Sequence, residues 1–158
     1  MPFPESNAGV TGTFSSPDGA VFSVTAGFFS SLTGNVLLDA DEPLHALDVT
    51  FSTALLSISA NFALNSAGSD TMTLVAYTGG VGGTIVGSST ASGSIPPGFS
   101  FPEGIISFSG APFDAIRLTS TAPDFAVDNF ELAEIPEPAS TSLVLAGLAL
   151  CGLALRRR

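Results

Sequence analysis

The sequence predicts an all-β chain: a β-sandwich, jelly-roll-like, of about 8–10 antiparallel strands, followed by one C-terminal transmembrane helix. Three observations predict it. Apolar residues recur with period two along residues 1–134. Turn-forming clusters punctuate those runs. The chain then closes on seventeen uncharged residues, Ala139–Leu155, and three arginines.

The strand pattern is clearest in "LLSISANFAL", where Leu56, Ile58, Ala60, Phe62 and Leu64 share one face and Ser57, Ser59 and Asn61 the other. "LDVTF" sets Leu47, Val49 and Phe51 against Asp48 and Thr50. "TMTLVAY" sets Met72, Leu74 and Ala76 against Thr71, Thr73 and Tyr77, and "FDAIRLTS" sets Ile116 and Leu118 against Arg117 and Thr119. "VFSVTA", "TIVGSST" and "IISF" are shorter candidates. In "DFAVDNFEL" the alternation breaks: Phe125 and Val127 have one parity, Phe130 and Leu132 the other. Either this strand is buried on both faces or a bulge lies at Asp128-Asn129.

The connections read as turns. "SPDG" (16–19) and "YTGGVGGT" (77–84) are hairpin signals, and "SIPPGFSFPEG" (94–104) is a longer loop whose prolines block pairing. "GGVGG" lacks the Lys-Ser/Thr ending of a phosphate-binding loop and any following helix, so a hairpin is the better reading.

Composition limits the partners. The chain has no lysine, and its four basic residues are Arg117 and Arg156–Arg158. Residues 1–138 carry one arginine against fourteen carboxylates, a formal net of −13. Such a surface repels nucleic acid and anionic lipid; it suits cations, calcium above all, or neutral partners such as glycans. The single cysteine, Cys151, sits in the apolar run as a small filler and allows no disulfide within one chain. His45 is the sole histidine, and no serine stands in a G-x-S-x-G turn. Thirteen phenylalanines supply much of the core, but no tryptophan and one tyrosine make a poor sugar-stacking platform.

Ala139–Leu155 is apolar on every side and, as a helix, spans about 25 Å. Arg156, Arg157 and Arg158 orient it with the C-terminus in the cytoplasm and the body outside. The order Pro136-Glu137-Pro138, apolar run, arginine cluster resembles the PEP-CTERM sorting signal of Gram-negative bacteria. That resemblance implies two regions: a β-sandwich body, 1–134, and a sorting signal, 135–158. It implies recognition of Pro136, Glu137 and Pro138 by an exosortase, a membrane transpeptidase-like cysteine protease that cuts near the triplet. The body would face the periplasm from the inner membrane before processing, then reach the cell surface or the extracellular space, in exopolysaccharide-producing cells. Such proteins begin with a signal peptide. "MPFPESNAGV" has no basic region and no apolar run of about 7–15 residues, so the expectation is a start codon upstream.

Two acidic features remain. "DADEP" brings Asp39, Asp41 and Glu42 into four residues, without the EF-hand's glycine and distal glutamate. It reads as a solvated loop or as half of a cation site shared with Asp128. The ending "AVDNF" resembles the final strand of surface β-sandwiches, carbohydrate-binding modules among them, in which an aspartate helps hold structural calcium. The resemblance implies that role for Asp128; the alternative is that Asp128 bonds backbone N–H groups and locks the bulge. Function then divides three ways. The first is a non-catalytic surface or matrix protein, with exosortase, the inner membrane and exopolysaccharide as partners. The second is a carbohydrate-binding module, calcium-stabilised. The third, a small hydrolase, lacks a visible acid/base cluster.

Overall fold

The computed structural model describes residues 3–7, 9–17, 22–26, 28–39, 46–66 and 69–135. They form nine strands: β1 (Phe3–Asn7), β2 (Val10–Ser15), β3 (Ser23–Ala26), β4 (Asn35–Asp39), β5 (Ala46–Leu64), β6 (Thr71–Thr78), β7 (Thr84–Ser92), β8 (Glu103–Ser120) and β9 (Phe125–Glu134). Every pairing is antiparallel. Among the described residues no helix is long and apolar enough to cross a membrane. The predicted helix 139–155, the Pro136–Pro138 triplet, the Arg156–Arg158 cluster, Asp41, His45 and Cys151 lie outside the described residues.

The sheet runs β3-β4-β9-β5-β8-β6-β7, with the β1–β2 hairpin attached to β5. Two strands organise it. β5 is 19 residues long and β8 18, and they pair with each other from end to end. Their ladder is irregular between Thr50 and Ser57, opposite Ser109–Ala115. Gly110 and Pro112 lie in that break; Pro112 has no N–H for a ladder, and its carbonyl instead accepts the Thr78 hydroxyl at 2.9 Å. Bulged long strands of this kind let one sheet fold over itself into a sandwich-like body. One edge of β5 is taken first by β2, at Asp48–Phe51, and then by β9, at Leu55–Leu64.

The predicted inward faces hold at Leu47, Val49 and Phe51, at Ile58, Ala60, Phe62 and Leu64, at Met72, Leu74 and Ala76, and at Ile116 and Leu118, all buried. Three positions differ, the first being Asp48, which the alternation sets outward but which is buried beside Arg117. Leu55 rather than Leu56 is fully enclosed, because the irregularity at Leu55/Ser57 changes the phase there. Tyr77 turns inward at a register shift after Ala76. Phenylalanine pairs bind the core edge to face, Phe14 with Phe130 at 5.5 Å and Phe108 with Phe113 at 5.5 Å.

A second, smaller core lies on the opposite face, where Leu32, Val36, Ala63 and Ala126 meet Phe29, Leu38 and Phe101. Phe125, Ala126 and Val127 are consequently all buried. The bulge is present as well: Ser59 pairs with Glu131 and Asn61 with Asp128, so Asn129 and Phe130 together oppose Ala60. β9 therefore has both features that its broken alternation offered as alternatives.

Candidate functional site

Two constructions on β9 are candidates, a latch and a cleft. The latch begins at the bulge. Asn129 has φ 53°, a left-handed conformation that asparagine tolerates better than most residues. It aims the Asn129 amide at the segment 28–34, where Nδ2 donates to the Ser31 carbonyl at 3.0 Å. Asn61 Nδ2 donates to the same carbonyl at 2.7 Å. The Asp128 carboxylate accepts the Thr33 N–H at 3.1 Å. From β8, Glu103 accepts the N–H groups of Ser30 and Ser31, both at 2.7 Å, and the Ser31 hydroxyl at 2.6 Å. Glu103 is only 6% exposed. Side chains from three strands thus converge on the backbone of three residues, Ser30, Ser31 and Thr33.

The predicted calcium residues are placed as follows. Asp128 is half-buried and bonded to the 28–34 segment. Asp39 ends β4 in register with Phe125, three residues and about 10 Å along the strand from Asp128. Asp41 is outside the described residues. Among the described residues, no three His, Cys, Asp or Glu side chains come together to hold a metal.

The cleft follows from the divided edge of β5. β2 and β9 occupy successive stretches of that edge, and the ladder break between them leaves a hollow of about 690 Å³. That volume is within the range of ligand pockets. Phe14 and Phe51, both buried, line it together with Phe130, Val24, Leu37 and Leu132. Glu5 from β1 and Asp128, Glu131 and Glu134 from β9 line the same hollow. The Asp128 carboxylate is turned to the Thr33 N–H and the Glu131 carboxylate accepts the Ser59 hydroxyl at 3.4 Å, so neither is directed into the hollow; an apolar lining flanked by acidic side chains admits hydrocarbon and repels anions. Two shallower hollows open on the outer face of β5 and β8, lined by Ser57, Ser59, Ser107 and Ser109, by Asn61, and by Glu131 on β9.

The body's one basic side chain is already engaged. Arg117 stands directly opposite Asp48 and holds it through two bonds, Nε to Oδ1 at 2.6 Å and a terminal nitrogen to Oδ2 at 2.8 Å. The hydrogen bond to Asp48 raises the Arg117 pKa against a smaller opposing effect of burial. Asp114 is likewise occupied: its carboxylate accepts the N–H groups of Gly79 and Gly80, each at 2.9 Å, in the β6–β7 hairpin. The "GGVGG" amides thus hold one of the protein's own carboxylates.

Sequence reading missed Glu103, Asp114 and the cleft carboxylates Glu5, Glu131 and Glu134. Their partners are remote in sequence, Glu103 lying 72 residues from Ser31, and no local spacing announces such a bond.

A family model described as the PEP-CTERM protein-sorting motif matches residues 134–158. The match contains the Pro136-Glu137-Pro138 triplet, the apolar run and the terminal arginines. No curated protein matches the chain.

Proposed function

We propose that this chain, which carries a PEP-CTERM protein-sorting motif, is an exported, non-catalytic protein of the cell surface or extracellular matrix, delivered by an exosortase acting on its tail. The motif match at residues 134–158 carries the reading. Pro136, Glu137 and Pro138 are the residues the enzyme reads. Arg156–Arg158 keep the C-terminus cytoplasmic, so the body faces the periplasm until it is cut free. The body's chemistry supports a structural role. Among the described residues its most enclosed carboxylates, Asp48 and Glu103, are consumed by an arginine and by backbone amides. Deleting residues 136–158 should abolish surface localisation and leave the body in the periplasm, as read by cell fractionation and surface labelling. Unchanged surface display after the deletion would end the proposal.

A second reading is a carbohydrate-binding protein with structural calcium at Asp128. The hydroxyl-lined face of Ser57, Ser59, Ser107 and Ser109 favours it, since neutral glycans are bound through such groups. Glycan-array binding with and without a chelator separates the two; no binding to any glycan rejects the second.

A further inference from the structure

We propose that the cleft binds a linear amphiphile with a cationic head: an alkyl chain lying along β9 and an ammonium group held by Glu5 and Glu134. The site is independent of how the chain is sorted. Register, bonding and charge point to this ligand.

Register gives the hollow two unlike ends. Glu5 on β1 stands opposite Gly12 on β2, and Gly12 opposite Phe51 on β5. Glu134 stands opposite Leu55, four positions further along β5. The two residues therefore flank the junction at which β2 and β9 divide the β5 edge. Phe130, Leu132 and Glu134 share one parity, and Phe130 and Leu132 pack on the main core, so Glu134 belongs to the inward side. About 20 Å back along β9, Val127 forms one row with Leu37 on β4 and Val24 on β3. This end is apolar. Val24 is 60% exposed, and Leu37, Phe130 and Leu132 are half-buried.

Bonding separates the free carboxylates from the occupied ones. Asp128, Asn129 and Glu131 also line the hollow, but they are turned to Thr33, Ser31 and Ser59. Glu5 and Glu134 are exposed, and among the described residues their carboxylates accept no hydrogen bond and form no ion pair. Charge then selects the head group. No basic side chain lines the hollow, and Arg117 is held by Asp48. An anionic head would meet two uncompensated carboxylates, a neutral head would gain nothing from them, and an ammonium is attracted to both. Gly12 supplies room beside Glu5. Its φ lies outside the left-handed region, and a Cβ there would make ordinary contacts of 3.4 Å with Phe14 and 3.5 Å with Val49. The backbone therefore does not require glycine, and the missing side chain leaves space in the hollow. Burial of the alkyl chain supplies the affinity, and the glutamates supply the choice of head.

Octylammonium, octanol and octanoate share one chain and differ in head charge. Each is titrated at submicellar concentration into the full chain while amide NMR shifts are followed. Octylammonium should move the signals of Gly12, Leu37 and Leu132 saturably and leave those of Gly80 and Ser88 in place. Octanol should bind at the same residues about three- to tenfold more weakly, the range for two exposed charge contacts, and octanoate more weakly still. E5Q/E134Q should bring octylammonium to within about twofold of octanol and leave octanol's Kd unchanged. G12L, which puts a side chain into the hollow, should weaken both ligands while far-UV circular dichroism stays the same. Octanoate binding as tightly as octylammonium overturns the proposal, as does an octylammonium preference that survives E5Q/E134Q. Saturable shifts confined to residues outside the cleft, no saturable shift with any of the three, or full octylammonium affinity in a folded G12L chain also overturn it. Should G12L fail to fold, the E5Q/E134Q comparison decides alone.

Discussion

The Glu103 carboxylate collects three donors where water barely reaches, the largest share of the bonds that fix the segment covering the second core. Glu103→Gln keeps the size but replaces an acceptor oxygen with an NH2 group facing N–H donors. The expected cost is about 1–3 kcal/mol, the range for a buried donor left unmatched. Urea unfolding measures it, and hydrogen exchange at Ser31 and Thr33 should accelerate before the sheet amides respond. Equal acceleration everywhere would deny the local role. The Asp48–Arg117 pair is a different case, because the Arg117 side chain is 34% exposed and its charge is partly screened. A double-mutant cycle with Asp48→Asn and Arg117→Met should give a coupling of about 1 kcal/mol, favoured by the two-bond geometry. Because the hydrogen bond to Asp48 raises the Arg117 pKa, the arginine keeps its charge throughout the ordinary alkaline range, and its share of the pair is lost only in extreme alkali. Alkaline unfolding at lower pH must therefore originate in other groups.

At the scale of elements, β9 gains its function as a support from one extra residue. Without the bulge, Asn129 would not turn toward Ser31. Asn129→Ala places a less tolerant residue at φ 53° and removes the bond to Ser31. Together these should cost about 1–2 kcal/mol, read as a lower urea midpoint at unchanged m-value. Asn129→Gly, which relieves the backbone, should recover part of the loss. The long strands show what sequence can and cannot announce. Period two identified the faces of residues 47–51 and 58–64, but the inward parity changes between Phe51 and Ile58, so one 19-residue strand reads as two. The same happens in β8, where Gly110 and Pro112 look like a terminator and are instead a bend inside a continuous strand. Local pattern reports which way a side chain faces; it does not report that a strand survives a kink because its partner kinks with it. The latch and cleft are further from view, since each assembles residues from three or more strands. The broken alternation at Asp128-Asn129 was the one local signal that pointed toward them.

In the whole molecule, β5 and β8 run through both halves of the body, so neither half can lose its ladder alone. Tyr77, the only tyrosine in a chain without tryptophan, lies in β6 and reports one half by fluorescence. Its urea transition should coincide with that of far-UV circular dichroism. Separated midpoints would show two cooperative units. β9 carries a mechanical consequence too. The tail leaves from its C-terminal end, and its residues from Leu132 to Phe125 run back along β5 toward Leu64. When the tail is tethered and the far end of the sheet is pulled, the force lies along β9. Its hydrogen bonds to β5 are then loaded side by side, in shear, and must yield together. Peeling them singly would need a pull across the strand, which a tether at this end does not supply.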